Sequence, residues 1–77
     1  MKITVKVYGH LRRYLPGNAE KVVLEMENGS TIDDLLLSQK IPDEDVWVVT
    51  RNGERAGGKA VLADGDEVCI FTPVGGG

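Results

Sequence analysis

The sequence predicts an α+β fold in which one helix packs across one face of a small mixed sheet of four to five strands. Three observations carry that expectation. Apolar and polar residues alternate near both ends of the chain; a single capped, amphipathic segment lies between them; and 77 residues leave room for one thin core.

In "KITVKV" Ile3, Val5 and Val7 fall on one face and Lys2, Thr4 and Lys6 on the other, the period of a half-buried strand. "EKVVLEM" repeats the pattern with Val22, Leu24 and Met26 facing in, and Asn28-Gly29 supplies the turn after it. Between them, "YGHLRRYLPGNA" places Leu11 and Leu15 one helical turn apart before Pro16-Gly17, which fits either a short helical turn or a long hairpin loop. "GSTIDDLLLSQK" offers Ser30 or Thr31 as N-cap. Asp33 and Asp34 fall at the positive end of the helix dipole, and Ile32, Leu35 and Leu36 are at core spacing. "VWVVTR" leads into Asn52-Gly53 and forms a third strand, with the inward-facing set, Trp47 or Val46 and Val48, left open by the pattern. After a glycine-rich bend come a short apolar piece at Ala60, an Asp-Gly-Asp turn, and a last strand with Val68 and Ile70 opposite Cys69 and Phe71. Pro73, lacking an N–H, helps to end the pairing.

Composition narrows the function. Twelve acidic residues against nine Lys and Arg give a net charge of −3, which argues against nucleic acid as a partner. The single Cys69 forms no intramolecular disulfide, and "MKITVKV" is too short an apolar run for a signal peptide or a membrane span, so the cytosol is the expected location. A core this small favours activity at a surface or a terminus over a deep cleft.

The candidate chemical motifs fail on their own terms. "GERAGGKA" approaches a phosphate-binding loop at Gly53, Gly58 and Lys59, but Ala60 stands where a hydroxyl must hold Mg²⁺, and no helix opens there. "DEDV" and "DGDE" lack the spaced oxygen ligands of a calcium loop, and His10 has no partner for a metal or nucleophilic site. No bound metal or cofactor is expected. Cys69 has no flanking cation in the sequence and reads as a small apolar strand residue; Lys2, Lys6, Arg12 and Arg13 read as a solvated face.

The chain ends "FTPVGGG". Ordering a backbone costs about 1–2 kcal/mol per residue, so three glycines do not serve stability. What glycine offers is the absence of a side chain, which lets a chain end thread a narrow channel and present its carboxylate to another protein. The expected division is a folded domain over 1–74 and a flexible glycine tail over 75–77.

"GSTIDDLL", "DGDEVCIF" and "TPVGGG" together resemble the MoaD/ThiS sulfur-carrier proteins, which have a ubiquitin-like β-grasp fold. The resemblance implies that Gly77 bears the reacting carboxylate and Gly76 completes the diglycine, with Gly75 an additional flexible residue. It implies partners as well: an adenylating enzyme of the ubiquitin-activating kind that uses ATP, a sulfur donor, and an acceptor synthase subunit. The chain is then no enzyme itself, but a protein substrate or the small subunit of a synthase. Fixing the three glycines costs roughly 3–6 kcal/mol, so the activating enzyme must gain affinity from the folded domain. Phe71, with Pro73 and Val74, is the expected apolar docking patch, and Gly75 is expected to contact the partner beside it. The long segment before the second strand favours the molybdopterin or tungstopterin pathway, with thiamine, tRNA thiolation, and cysteine or methionine synthesis behind it. Two alternatives remain: a ubiquitin-like modifier joined through Gly77 to a lysine, and an interaction module that does not use its C-terminus.

Overall fold

The computed structural model describes residues 1–73, so Val74, Gly75, Gly76 and Gly77 lie outside the described residues. Five strands form one mixed sheet: β1 (Lys2–Val7), β2 (Lys21–Glu25), β3 (Val48–Arg51), β4 (Glu54–Arg55) and β5 (Glu67–Phe71), in the order β2-β1-β5-β3-β4. β1 and β5 pair in parallel at the centre, while the β1–β2, β3–β5 and β3–β4 pairs are antiparallel. The helix α1 (Ile32–Ser38) lies between β2 and β3 in the chain.

The helix begins where its cap does. Thr31 is extended, its hydroxyl accepts from the Asp34 N–H at 3.2 Å, and the Asp34 carboxylate accepts from the Thr31 N–H at 2.9 Å. This reciprocal pair satisfies two donors that the first turn would otherwise leave unpaired. Ile32, Leu35 and Leu36 then fall on the buried side, as their spacing requires. They meet Ile3, Val5 and Val7 of β1, Val49 of β3, and Val68 and Ile70 of β5 in a single core. Val22, Leu24 and Met26 pack half-buried against its edge.

The connection from β1 to β2 is a 3₁₀ stretch over Gly9–Tyr14 followed by a 3₁₀ turn over Pro16–Asn18, and it sends Leu11 and Leu15 into the core. Trp47 precedes β3 and is exposed, whereas Val49 is buried and Val46 and Val48 are half-buried. The glycine-rich bend contains β4, two residues paired back onto β3 across the Asn52-Gly53 turn. The apolar piece that follows makes only an isolated bridge, Thr31 to Val61. That stretch is tied to the helix start, with the Ile32 N–H donating to the Ala60 carbonyl and the Asp33 N–H to that of Gly58.

Candidate functional site

The candidate site begins where β5 ends. Because β1 and β5 run parallel in register, with Val7 opposite Ile70, the residues leaving both strands emerge side by side. Tyr8, Gly9 and His10, the three residues that follow β1, each meet the root of the C-terminal segment. The Tyr8 ring stacks on the Phe71 ring with centroids 4.7 Å apart and planes 3° from parallel, and its N–H donates to the Ile70 carbonyl at 3.2 Å. Gly9 adopts φ +63°, and a Cβ there would stand 2.6 Å from the Thr72 Cγ2. Glycine is therefore favoured twice over, by its left-handed backbone and by the closeness of Thr72.

His10 extends this contact outward. Its Nδ1 lies 3.4 Å from the Thr72 Oγ1, and its Nε2 lies 3.9 Å from the Asp45 carboxylate. Asp45 also accepts a hydrogen bond from the Tyr14 hydroxyl. That bond is the main reason the Tyr14 phenol is held above its ordinary pKa, since removing its proton would leave two anions face to face. On the other side of the root, the Trp47 N–H donates to the Phe71 carbonyl at 2.7 Å, and Val48 stands opposite Phe71 in register.

Phe71 is half-buried on the sheet face away from the core, which the alternation with Val68 and Ile70 leads one to expect. Cys69 shares that face, half-buried, with Lys6 and Thr50 as its register neighbours. Tyr8 is 44% and Trp47 62% exposed, so two aromatics accompany Phe71 at the surface. Pro73 is exposed at the end of the described chain. Val74, expected in the docking patch, and Gly75, Gly76 and Gly77, expected in the reacting tail, fall beyond it.

Sequence reasoning missed Tyr8, Gly9 and His10 as tail-root contacts. His10 and Thr72 are 62 residues apart, and only the parallel β1–β5 pairing brings them together. The available signal was a Tyr-Gly pair directly after the first strand and a Phe at the end of the last. Among the described residues, no group of three or more His, Cys, Asp or Glu side chains is placed to hold a metal ion. No helix among them is long and apolar enough to cross a membrane.

A mixed five-stranded sheet with one helix across it, its first and last strands paired in parallel at its centre, defines a small ubiquitin-like protein of the β-grasp class. The chain belongs to the ThiS family, whose sequence pattern matches residues 5–77; with the related MoaD proteins, this is a family of small sulfur carriers. Three solved structures are similar. SAMP1 from Haloferax volcanii is 24% identical, with all of each chain covered and a TM-score of 0.76. Urm1 from Trypanosoma brucei is 22% identical, with 99% of this chain and 95% of that one covered and a TM-score of 0.69. Subunit 1 in the complex of subunits 1 and 2 of the molybdopterin-converting factor from Helicobacter pylori is 19% identical over the whole of both chains, at a TM-score of 0.66. At these identities the likeness establishes the fold. Among curated proteins no sequence matches this one.

Proposed function

We propose that the protein carries sulfur on its C-terminus. A partner enzyme joins the Gly77 carboxylate to AMP from ATP, releasing pyrophosphate. A persulfide of the sulfur donor then attacks the acyl carbon and AMP leaves, giving an acyl disulfide; a second thiol attacks the donor's sulfur, forming a disulfide with it and releasing the C-terminal thiocarboxylate. The carboxylate alone is a poor electrophile, and the mixed anhydride supplies the leaving group it lacks. The observation that supports this most is that the family match runs through residue 77, so it takes in the terminal glycines along with the fold.

The described part of the chain contributes position. Tyr8, Gly9 and His10 fix Phe71 and Thr72, so the described chain ends at a defined point on the domain. Phe71 and Tyr8 offer an aromatic surface beside that point, which an enzyme taking the tail would cover. The acceptor we favour is a synthase of the molybdopterin or tungstopterin pathway. The similar Helicobacter pylori chain is held in a complex with subunit 2 of its converting factor, and the long β1–β2 connection supports the same choice. Thiamine synthesis, tRNA thiolation, and cysteine or methionine synthesis follow in that order.

A second reading is favoured by the similarity to SAMP1, described as a small archaeal modifier protein. There the same activated carboxyl would be attacked by a lysine amine, giving an amide in place of a thiocarboxylate. The two are separated by incubating the protein with its activating enzyme and ATP, with and without a sulfur donor, and weighing the products. A gain equal to one oxygen exchanged for sulfur supports the carrier. A lysine-linked adduct without that gain supports the modifier.

A further inference from the structure

The face of the sheet turned away from the helix carries two charged cross-strand pairs between β1 and β2. Lys2 stands opposite Glu25, an attractive pairing; Lys6 stands opposite Lys21. Like charges directly opposite each other on one face destabilise a sheet. A lysine on an edge strand has a recognised use in blocking edge-to-edge association, and β2 is an edge strand, which accounts for Lys21 alone. It does not account for a second lysine facing it from the interior strand β1.

The neighbouring anions leave the pair only partly compensated. Glu67 pairs with Lys6 at 3.4 Å, while Glu20 is engaged by Arg12 at 3.4 Å, and among the described residues Lys21 has no ion pair. Lys6, Lys21, Glu20, Val7 and Tyr8 line a shallow open cavity of about 250 Å³. That is smaller than the roughly 300–1,000 Å³ of ordinary small-molecule sites, and it is open to solvent, so it suits a side chain presented by a larger partner. Tyr8, which forms one wall, is the residue stacked on Phe71 at the tail root. Two ammonium groups on a protein of net charge −3 thus lie beside Tyr8 and, through its stack on Phe71, near the end of β5.

We propose that Lys6 and Lys21 form a docking site for an acidic segment of the enzyme that activates the tail, whose carboxylate enters the cavity beside Tyr8. This rests on the carrier reading above. The like-charge pair is then a feature that costs the free protein stability and is relieved in the complex. Steering by such exposed charges acts mainly on the association rate and is weakened by salt.

The test is a titration of the activating enzyme with wild-type protein, Lys21→Gln, Lys21→Glu and, as a charge-matched control, Lys59→Glu in the loop that bonds to the helix start. Binding is measured at low and at physiological salt, and thermal unfolding is followed alongside. Lys21→Glu should weaken binding about five- to tenfold at low salt and flatten its salt dependence, with Lys21→Gln intermediate. The same Lys21→Glu change replaces a repulsive cross-strand pair with an attractive one, so its melting temperature should stay level or rise, separating lost docking from lost folding. Unchanged affinity and salt dependence in Lys21→Glu, or an equal loss in Lys59→Glu, would overturn the proposal. Formation of thiocarboxylate by the wild-type protein is scored separately, so a failure there counts against the carrier reading while the titration still judges the surface.

Discussion

Gly9→Ala is the perturbation that the tail root makes most informative. The residue sits at φ +63°, where an L side chain costs about 1–2 kcal/mol relative to glycine. The added Cβ would also stand 2.6 Å from the Thr72 Cγ2, about 1 Å inside ordinary carbon contact. Thr72 can relieve this only by leaving its rotamer, at about 0.5–1.5 kcal/mol, and moving its hydroxyl from His10. The expected loss is about 1.5–3.5 kcal/mol in all, from a domain of this length worth roughly 4–12 kcal/mol, so the variant should remain folded. Thr72→Ser removes the Cγ2 and keeps the hydroxyl. In that background Gly9→Ala should cost only its backbone part, about 1–2 kcal/mol, leaving a coupling of about 0.5–1.5 kcal/mol between the two sites. Urea denaturation of the four proteins measures every term. A cost below about 0.5 kcal/mol in the wild-type background would refute the left-handed-backbone reasoning, and equal costs in both backgrounds would refute the contact with Thr72.

Phe71→Ala should weaken binding to the activating enzyme at least tenfold by calorimetric titration while costing about 1–3 kcal/mol of stability, the stack with Tyr8 plus the apolar area of a half-buried ring. A larger stability loss with unchanged affinity would make Phe71 a structural residue. Asp66 is buried and accepts from the Ala63 N–H at 2.8 Å and the Asn52 amide at 2.9 Å. Chiefly through the Ala63 bond, its carboxyl is held below the ordinary value of 3.8. A depressed carboxylate stabilises the fold at every pH above its unfolded value and loses that contribution as pH falls through the folded one. Melting followed by circular dichroism should therefore show wild-type stability falling as the pH drops below about 4. Asp66→Asn should start about 1–3 kcal/mol lower at pH 7 and fall less steeply, and parallel acid profiles would contradict this.

What the sequence made legible was whatever a local pattern encodes. The alternation in "KITVKV" and "DEVCIF" located β1 and β5, and a cap at Ser30 or Thr31 followed by Asp33 and Asp34 marked the helix start, because period and capping act within a few residues. The two-residue β4 escaped because a strand of that length has no period to read. Trp47 was ambiguous because its apolar neighbours make a nearly continuous run, and only the position of β3 beside β5 decides that Val49 is buried and Trp47 exposed. The expected tail rests on its glycines and on the family pattern. Its root could not have been found in the same way, since the contacts of Tyr8, Gly9 and His10 depend on a parallel pairing between opposite ends of the chain. The lysine pair on the open face was likewise visible only once the β1–β2 register placed Lys6 against Lys21.

The most direct test is the intact mass of the protein after incubation with its activating enzyme, ATP and a sulfur donor, beside a variant lacking Gly76 and Gly77. The carrier account predicts a gain equal to one oxygen exchanged for sulfur in the wild-type chain and none in the variant. An unchanged wild-type mass, with an enzyme shown to be active, would contradict it.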